Sequence, residues 1–346
     1  QPGQLDRELA EMDECMPHYY RITQGHGQGA ELLMNAEAAF MQGNFSDAQI
    51  LLEQTYSTIA SNGQHNISLC CDFLAARLSL FQESGTFVQT PEVKRKELLS
   101  LHNMMWLNIF DSTYAYHYAL IRMPEKIPAL FKDHMLSTVS FLSPCRPMME
   151  MIENQVFLSQ KMYAKFIGRS ETLLLVCEKM HYELVSLHVQ IQTAAAYAML
   201  GKHHDARQLL QKALGHAMPD GFLIPFVENY NYIKDVLGSI NSITPEPFTD
   251  RILSLGSVYE QHCLRLSSRN SRPEILNMLN SREAEIAALI TDRLSNREIA
   301  ERLFLSEGTV KQYINQIYSK LMINGDTRTK RKQLAELISS INKGLT

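Results

Sequence analysis

The chain has 346 residues, 45% of them hydrophobic, which allows two or three domains around a sizeable core and excludes a disordered polypeptide. No apolar run approaches the roughly 18 residues of a membrane span, and the start, at Gln1 rather than Met, lacks a signal-peptide pattern and reads as cut from a longer chain, so the expected location is cytoplasmic. The net charge of −4 is unevenly placed: from Asn270 onward there are 12 Lys and Arg against 9 Asp and Glu, and before it 21 against 28, so only the C-terminal end suits a polyanion.

Residues 1 to about 268 read as helix after helix, with no alternating strand. Within them GNFSDAQILLEQTYSTIA from Gly43 and GKHHDARQLLQKALGHAM from Gly201 align without a gap, sharing Gly, Asp-Ala and Leu-Leu (Leu51, Leu52; Leu209, Leu210). Each follows an apolar-periodic helix, so each is expected to be a helical hairpin whose glycine ends the first helix in a left-handed turn. A weaker third copy is expected at Gly168. The spacing resembles tetratricopeptide repeats, which implies a superhelix with a concave face for a peptide, a partner or a small ligand.

Between the copies, prolines 91, 124, 128, 144 and 147 punctuate longer helices that carry Trp106, Phe110, Tyr114, Tyr116, Tyr118 and Phe131. These aromatics suit inter-helix core or an aromatic-lined groove. The six cysteines show no metal-ligand spacing and read as reduced, buried small hydrophobes. His203 and His204 read as solvated turn residues, and Glu150 with Glu153 as a wet helix face. A helix from about Thr249 to Ser268 precedes a polar linker, SSRNSRPEI, giving domains at 1–268 and 277–346 with residues 269–276 between them.

The stretch from Asn280 to Leu321 carries the densest set of local signals. Asn280 with Glu283, and Ser295 with Glu298, have capping-box spacing, and Ser306 can cap the Thr309 amide. Three apolar stripes follow: Ile286, Leu289, Ile290 and Leu294; then Ile299, Ala300 and Leu303; then Val310, Ile314, Ile317 and Leu321. Opposite the third stripe lie Gly308, Lys311, Gln312, Asn315 and Ser319, groups that can read base edges or hold phosphates. Two short capped helices and a longer one with such an outer face are the pattern of a DNA-binding helix-turn-helix.

The run LSNREIAERLFLSEGTVKQYINQIYSKL resembles the C-terminal DNA-binding domain of LuxR-type bacterial transcription regulators, whose pattern is LSNKEIA followed by LSxxTVKxHxxxIxxKL. It departs at Tyr313, where the family commonly has His, and in the longer connection after Leu321. The resemblance implies that Lys311, Gln312 and Asn315 occupy base-reading or adjacent phosphate positions, that Ser306, Thr309 and Tyr313 hold the backbone, and that Asn296 and Arg297 sit at a phosphate. Gly308 belongs to the same contact face.

A repeat hairpin followed by Gly221, Phe222, Pro225 and Phe226, ahead of such a reader, resembles the large MalT-type branch of that family. The fold expected is therefore all-α: a tetratricopeptide-like helical-repeat superhelix, then a four-helix LuxR-type helix-turn-helix domain. No GxxxxGK[ST] run is present, so the branch's ATPase is not in this sequence.

No HExxH, GxSxG or GxGxxG occurs, and neither enzyme chemistry, a metal nor a cofactor is expected. The expected function is a sequence-specific DNA-binding transcription regulator, an activator by analogy with the branch, with a small-molecule or protein effector on the repeat domain and RNA polymerase as a further partner. Its double-stranded DNA site is expected to take a homodimer held by the last helix (about Thr329 to Asn342), where Leu334, Leu337, Ile338 and Ile341 exceed the needs of a small bundle. The competing reading is a protein–protein scaffold whose C-terminal bundle is a docking module.

Overall fold

The computed structural model describes residues 2–60, 64–81, 91–270, 279–321, 323 and 325–343. Among these every regular element is helical, and the chain divides into two compact units, 1–264 and 265–346. Most of the expected linker, 271–276, lies outside the described residues.

The first unit contains α1 (Leu5–Ile22), α2 (Ala30–Met41), α3 (Phe45–Ile59), α4 (His65–Leu78), α5 (Pro91–Ser100), α6 (Met104–Leu120), α7 (Ala129–Lys132), α8 (Arg146–Ser159), α9 (Tyr163–Met180), α10 (Glu183–Met199), α11 (His203–Ala217), α12 (Ile224–Glu228) and α13 (Tyr230–Ile243); α14 (Pro247–Asn270) begins in it. Both sequence repeats are hairpins, α2 with α3 and α10 with α11. Gly43 (φ +81°) and Gly201 (φ +75°) supply the left-handed residue at each turn. The amide after each glycine donates back to the preceding helix, Asn44 to the Ala39 carbonyl at 2.8 Å and Lys202 to that of Tyr197 at 2.9 Å.

The same turn recurs without glycine. Lys161 (φ +61°) and His181 (φ +55°) are left-handed, and the next amides, Met162 and Tyr182, donate to the carbonyls of Phe157 and Cys177, each at 2.9 Å. Helices α8 to α11 are thus one continuous run of hairpins. Gly168, expected at a turn, is instead inside α9. An interior glycine ends a helix only where the left-handed residue falls, and here that residue is Lys161.

The Gly-Phe-x-x-Pro-Phe segment that follows this run packs on the first hairpin: the Leu223 amide donates to the Met41 carbonyl at 2.8 Å, Gln42 Nε2 to that of Asp220 at 3.1 Å, and Ile224 enters the core formed by Leu33, Phe40 and Leu74. Gly256 permits a close approach, since a Cβ there would lie 2.2 Å from the Tyr230 ring. Helices α6, α8 and α10 carry unbroken buried stretches, such as Leu187 to Ala196, so they are covered on every side rather than along one stripe.

That arrangement buries charge. Arg77, 4% exposed, donates through Nε to Glu228 Oε1 at 2.7 Å and through Nη1 to Glu37 Oε2 at 3.4 Å, and lies over the rings of Phe40 and Phe73. Tyr116 Oη donates to the other Glu228 oxygen at 2.8 Å. Four of the singled-out aromatics, Phe110, Tyr114, Tyr116 and Phe131, are buried core, while Trp106 and Tyr118 are partly buried beside Phe110 and Tyr114. Two expectations fail here. Glu153 is buried and paired with Arg169, because its side of α8 meets another helix rather than water, whereas Glu150, half-buried beside Arg146, keeps contact with solvent. Of the cysteines only Cys71 and Cys177 are buried, and Cys15 and Cys70 are exposed. His203 and His204 are exposed.

No helix among the described residues is long and apolar enough to cross a membrane.

Candidate nucleic-acid interface

The second unit holds α15 (Ser281–Thr291), α16 (Asn296–Leu303), α17 (Glu307–Lys320) and α18 (Thr327–Lys343). Asn280 Oδ1 accepts from the Glu283 amide at 2.9 Å while Glu283 Oε2 accepts from the Asn280 amide at 2.8 Å, closing one capping box. Ser295 and Glu298 close the second at 3.3 and 2.6 Å. Ser306 Oγ accepts from the Thr309 amide at 3.0 Å and meets the Thr309 hydroxyl at 2.8 Å. Each cap satisfies an amide that the first turn leaves open, so the three helix starts are set by residues three apart in sequence.

The stripes converge into one core. Ile286, Ile290, Ile299, Val310, Ile314 and Ile317 are buried in it, and Leu294 packs at its edge. Leu334 and Ile338 of α18 are buried in the same core, and Leu337 packs against it. Two of the four residues on which the expected dimer contact was argued are thus core of the unit itself, and Leu337 is only partly buried against it. The side chain of Ile341 lies outside the described residues.

Glu283 ties α15 to α17. Burial opposes its charge, but Lys320 at 2.7 Å and the Asn280 amide outweigh it and hold the carboxyl below its usual range. Arg282 does the same for the turn after α16, donating to the Leu303 carbonyl at 2.7 Å. That turn is made by Phe304, left-handed at φ +56° and 95% exposed.

With the frame fixed from inside, the outer face of α17 carries Gly308, Lys311, Gln312, Asn315 and Ser319, all exposed. Among the described residues none of Lys311, Gln312 and Asn315 is engaged in a side-chain hydrogen bond or ion pair. A Cβ at Gly308 would meet nothing closer than Ser306 Oγ at 3.6 Å, so packing does not demand glycine there. It leaves bare backbone at the helix start. Thr309 and Tyr313 are half-buried, the latter with its ring against the core. Ser306 is exposed beside them.

Asn296 and Arg297, at the start of α16, differ from that free set. Arg297 is exposed and paired with Glu301 at 3.1 Å, which raises its pKa. Asn296 Oδ1 accepts from Arg331 Nη1 at 2.8 Å, and Arg331 Nη2 also donates to the Leu294 carbonyl. Arg331 was missed in the sequence. Its spacing, three residues before Leu334 and seven before Ile338, puts it on the inward side of α18, but nothing local in the sequence marks Asn296 and Leu294 as its partners.

Residues 277–331 match the family model of bacterial regulatory proteins, luxR family. Among curated proteins, the transcriptional regulatory protein LnrK of Bacillus subtilis is 42% identical over 110 residues, covering 31% of this chain and 49% of that protein. DegU of Brevibacillus brevis is 43% identical over 53 residues (15% and 22%), and the DNA-binding transcriptional activator DevR/DosR of Mycobacterium tuberculosis is 33% identical over 57 (16% and 26%). The chain thus spans half or less of the length of these relatives. No solved structure matches it.

Proposed function

We infer that this chain, whose C-terminal unit is a LuxR-family helix-turn-helix domain, is a sequence-specific DNA-binding transcription regulator. The observation that carries the reading is the free outer face of α17. Lys311, Gln312 and Asn315 project from a helix whose start, core side and end are all fixed within the unit, which is what base reading in a major groove requires. In this reading Ser306, Thr309, Tyr313 and Gly308 approach the sugar-phosphate backbone at the start of α17, and Asn296 with Arg297 meets a phosphate from α16.

The proposal assigns residues 1–268 to effector or partner binding, 269–276 to a linker and 277–346 to the reader. It places the chain in the cytoplasm, where the chromosome is. One recognition helix covers few base pairs, so useful affinity needs two half-sites and hence a homodimer on DNA. Activation is proposed by analogy with DevR/DosR, whose name records a DNA-binding transcriptional activator, and RNA polymerase is proposed as the partner an activator would engage.

The test is selection of bound sequences from a random duplex pool at two salt concentrations, followed by Lys311→Ala. Enrichment of a two-fold symmetric motif is expected. The variant should lose about 1–3 kcal/mol of specific binding if Lys311 meets a base, or lower the salt slope by about one unit if it meets a phosphate. Absence of any enriched motif would turn the reading towards a protein–protein scaffold.

A further inference from the structure

We propose that Arg331, from the last helix, is a positioning residue for the DNA contact of Asn296. This rests on the DNA-binding reading above. A guanidinium only donates, so the Asn296 atom that meets Arg331 Nη1 at 2.8 Å is the amide oxygen. The amide nitrogen is thereby turned the other way. A free asparagine can present either atom; this one presents a donor, and a donor is what a phosphate oxygen accepts.

The guanidinium is itself held. Its second nitrogen donates to the Leu294 carbonyl, in the turn between α15 and α16, and the helix that carries it is anchored by Leu334 and Ile338 in the core. Arg331 therefore joins three things at one point: the last helix, the turn before α16, and the first residue of α16. The partners are 35 and 37 residues away in sequence, so no local motif announces the arrangement. Asn296 is only half-buried, which leaves its amide within reach of a ligand.

The experiment is a double-mutant cycle in the full chain, titrating the enriched duplex over a range of salt with Arg331→Ala, Asn296→Ala, the double variant, and Arg331→Gln. Glutamine keeps a donor for the Asn296 oxygen and removes the charge. If Arg331 acts through Asn296, the two alanine variants each weaken binding by about tenfold. The double variant is then no weaker than either one, and Arg331→Gln binds like the unaltered chain with the same salt slope. Backbone amide signals of α15 confirm that each variant is folded.

Additive losses in the double variant would overturn the proposal. So would an Arg331→Gln variant as weak as Arg331→Ala, or one whose salt slope falls by about one unit, which would make Arg331 a direct phosphate contact. Failure of the unaltered chain to bind duplex would remove the DNA reading itself. That outcome is distinct from binding with additive losses, which removes only the role of Arg331.

Discussion

In the C-terminal unit the amides at the starts of three helices are satisfied by side chains three residues away, Asn280 with Glu283, Ser295 with Glu298 and Ser306 with Thr309. In the N-terminal unit the tie between α4 and α12, Arg77 to Glu228, joins residues 151 apart and is buried at both ends. The first kind of contact is a modest, solvent-touching bond that local sequence specifies. The second is a desolvated charge pair that exists only once the chain between them has folded, and losing half of it strands the other half. The two units should therefore fail differently, by different amounts and at different pH.

The largest effect expected is from Arg77→Met. It leaves the Glu228 carboxylate buried with only Tyr116, at a cost of about 3–5 kcal/mol to the N-terminal unit. The chain has a single tryptophan, Trp106, in that unit, so its fluorescence in urea reports that transition alone. An unchanged midpoint would break the contrast. Replacing both partners, Arg77→Met with Glu228→Leu, should recover most of the loss, since the penalty lies in the stranded charge.

The next effect is set by pH. Burial pushes the His117 imidazole down to about 4, against a hydrogen bond to the Ala76 carbonyl that favours its charge, and burial together with the Arg77 charge pushes His188 well below its usual value. The unfolded chain takes up these protons near pH 6.5, while the folded one refuses them until far lower. Stability is lost as pH falls through that window, roughly 3 kcal/mol from His117 alone. Glu283 works in a lower range. Its contribution is full above the ordinary carboxylate pKa and is lost only as pH falls through its depressed value. Between about pH 6.5 and 5 the Trp106 transition should move while the α15 amide signals persist. His117→Gln should flatten the first response.

The same contrast explains how much could be read beforehand. Caps, stripes and outer face of the C-terminal unit were legible because each depends on residues within one or two turns of each other. Arg331 was not, because its partners, Asn296 and Leu294, lie in other elements. In the N-terminal unit the hairpins at Gly43 and Gly201 were legible because glycine marks a left-handed turn. Those at Lys161 and His181 were hidden, since the same backbone is held there by the packing of α8, α9 and α10 without the residue that advertises it. Glu153 misled for a related reason: helical spacing gives a face, but not whether that face meets water or another layer.

Smaller effects belong to the C-terminal unit. Asn280→Ala should cost that unit about 1 kcal/mol, by removing the acceptor for the Glu283 amide, and leave the Trp106 transition where it was. Hydrogen exchange of the α15 amides measures it, and a shift in Trp106 would show that the units are coupled.

The smallest effect has the opposite sign. Phe304 holds the left-handed position after α16, and the Leu305 amide closes that turn on the Ala300 carbonyl at 2.9 Å. A bulky side chain in that conformation costs roughly 1–2 kcal/mol. With 95% of its surface exposed, the ring gains little packing to offset the cost. Phe304→Gly removes the strain but loosens the unfolded chain, which returns about 0.5–1 kcal/mol of the gain. The net expectation is a C-terminal unit more stable by up to about 1 kcal/mol, read from the same exchange rates. Greater stability with weaker duplex binding would mean that the strained, exposed ring serves the interface, whereas a less stable variant would mean that the ring supports the turn, and the local rule that describes this unit would fail at its tightest point.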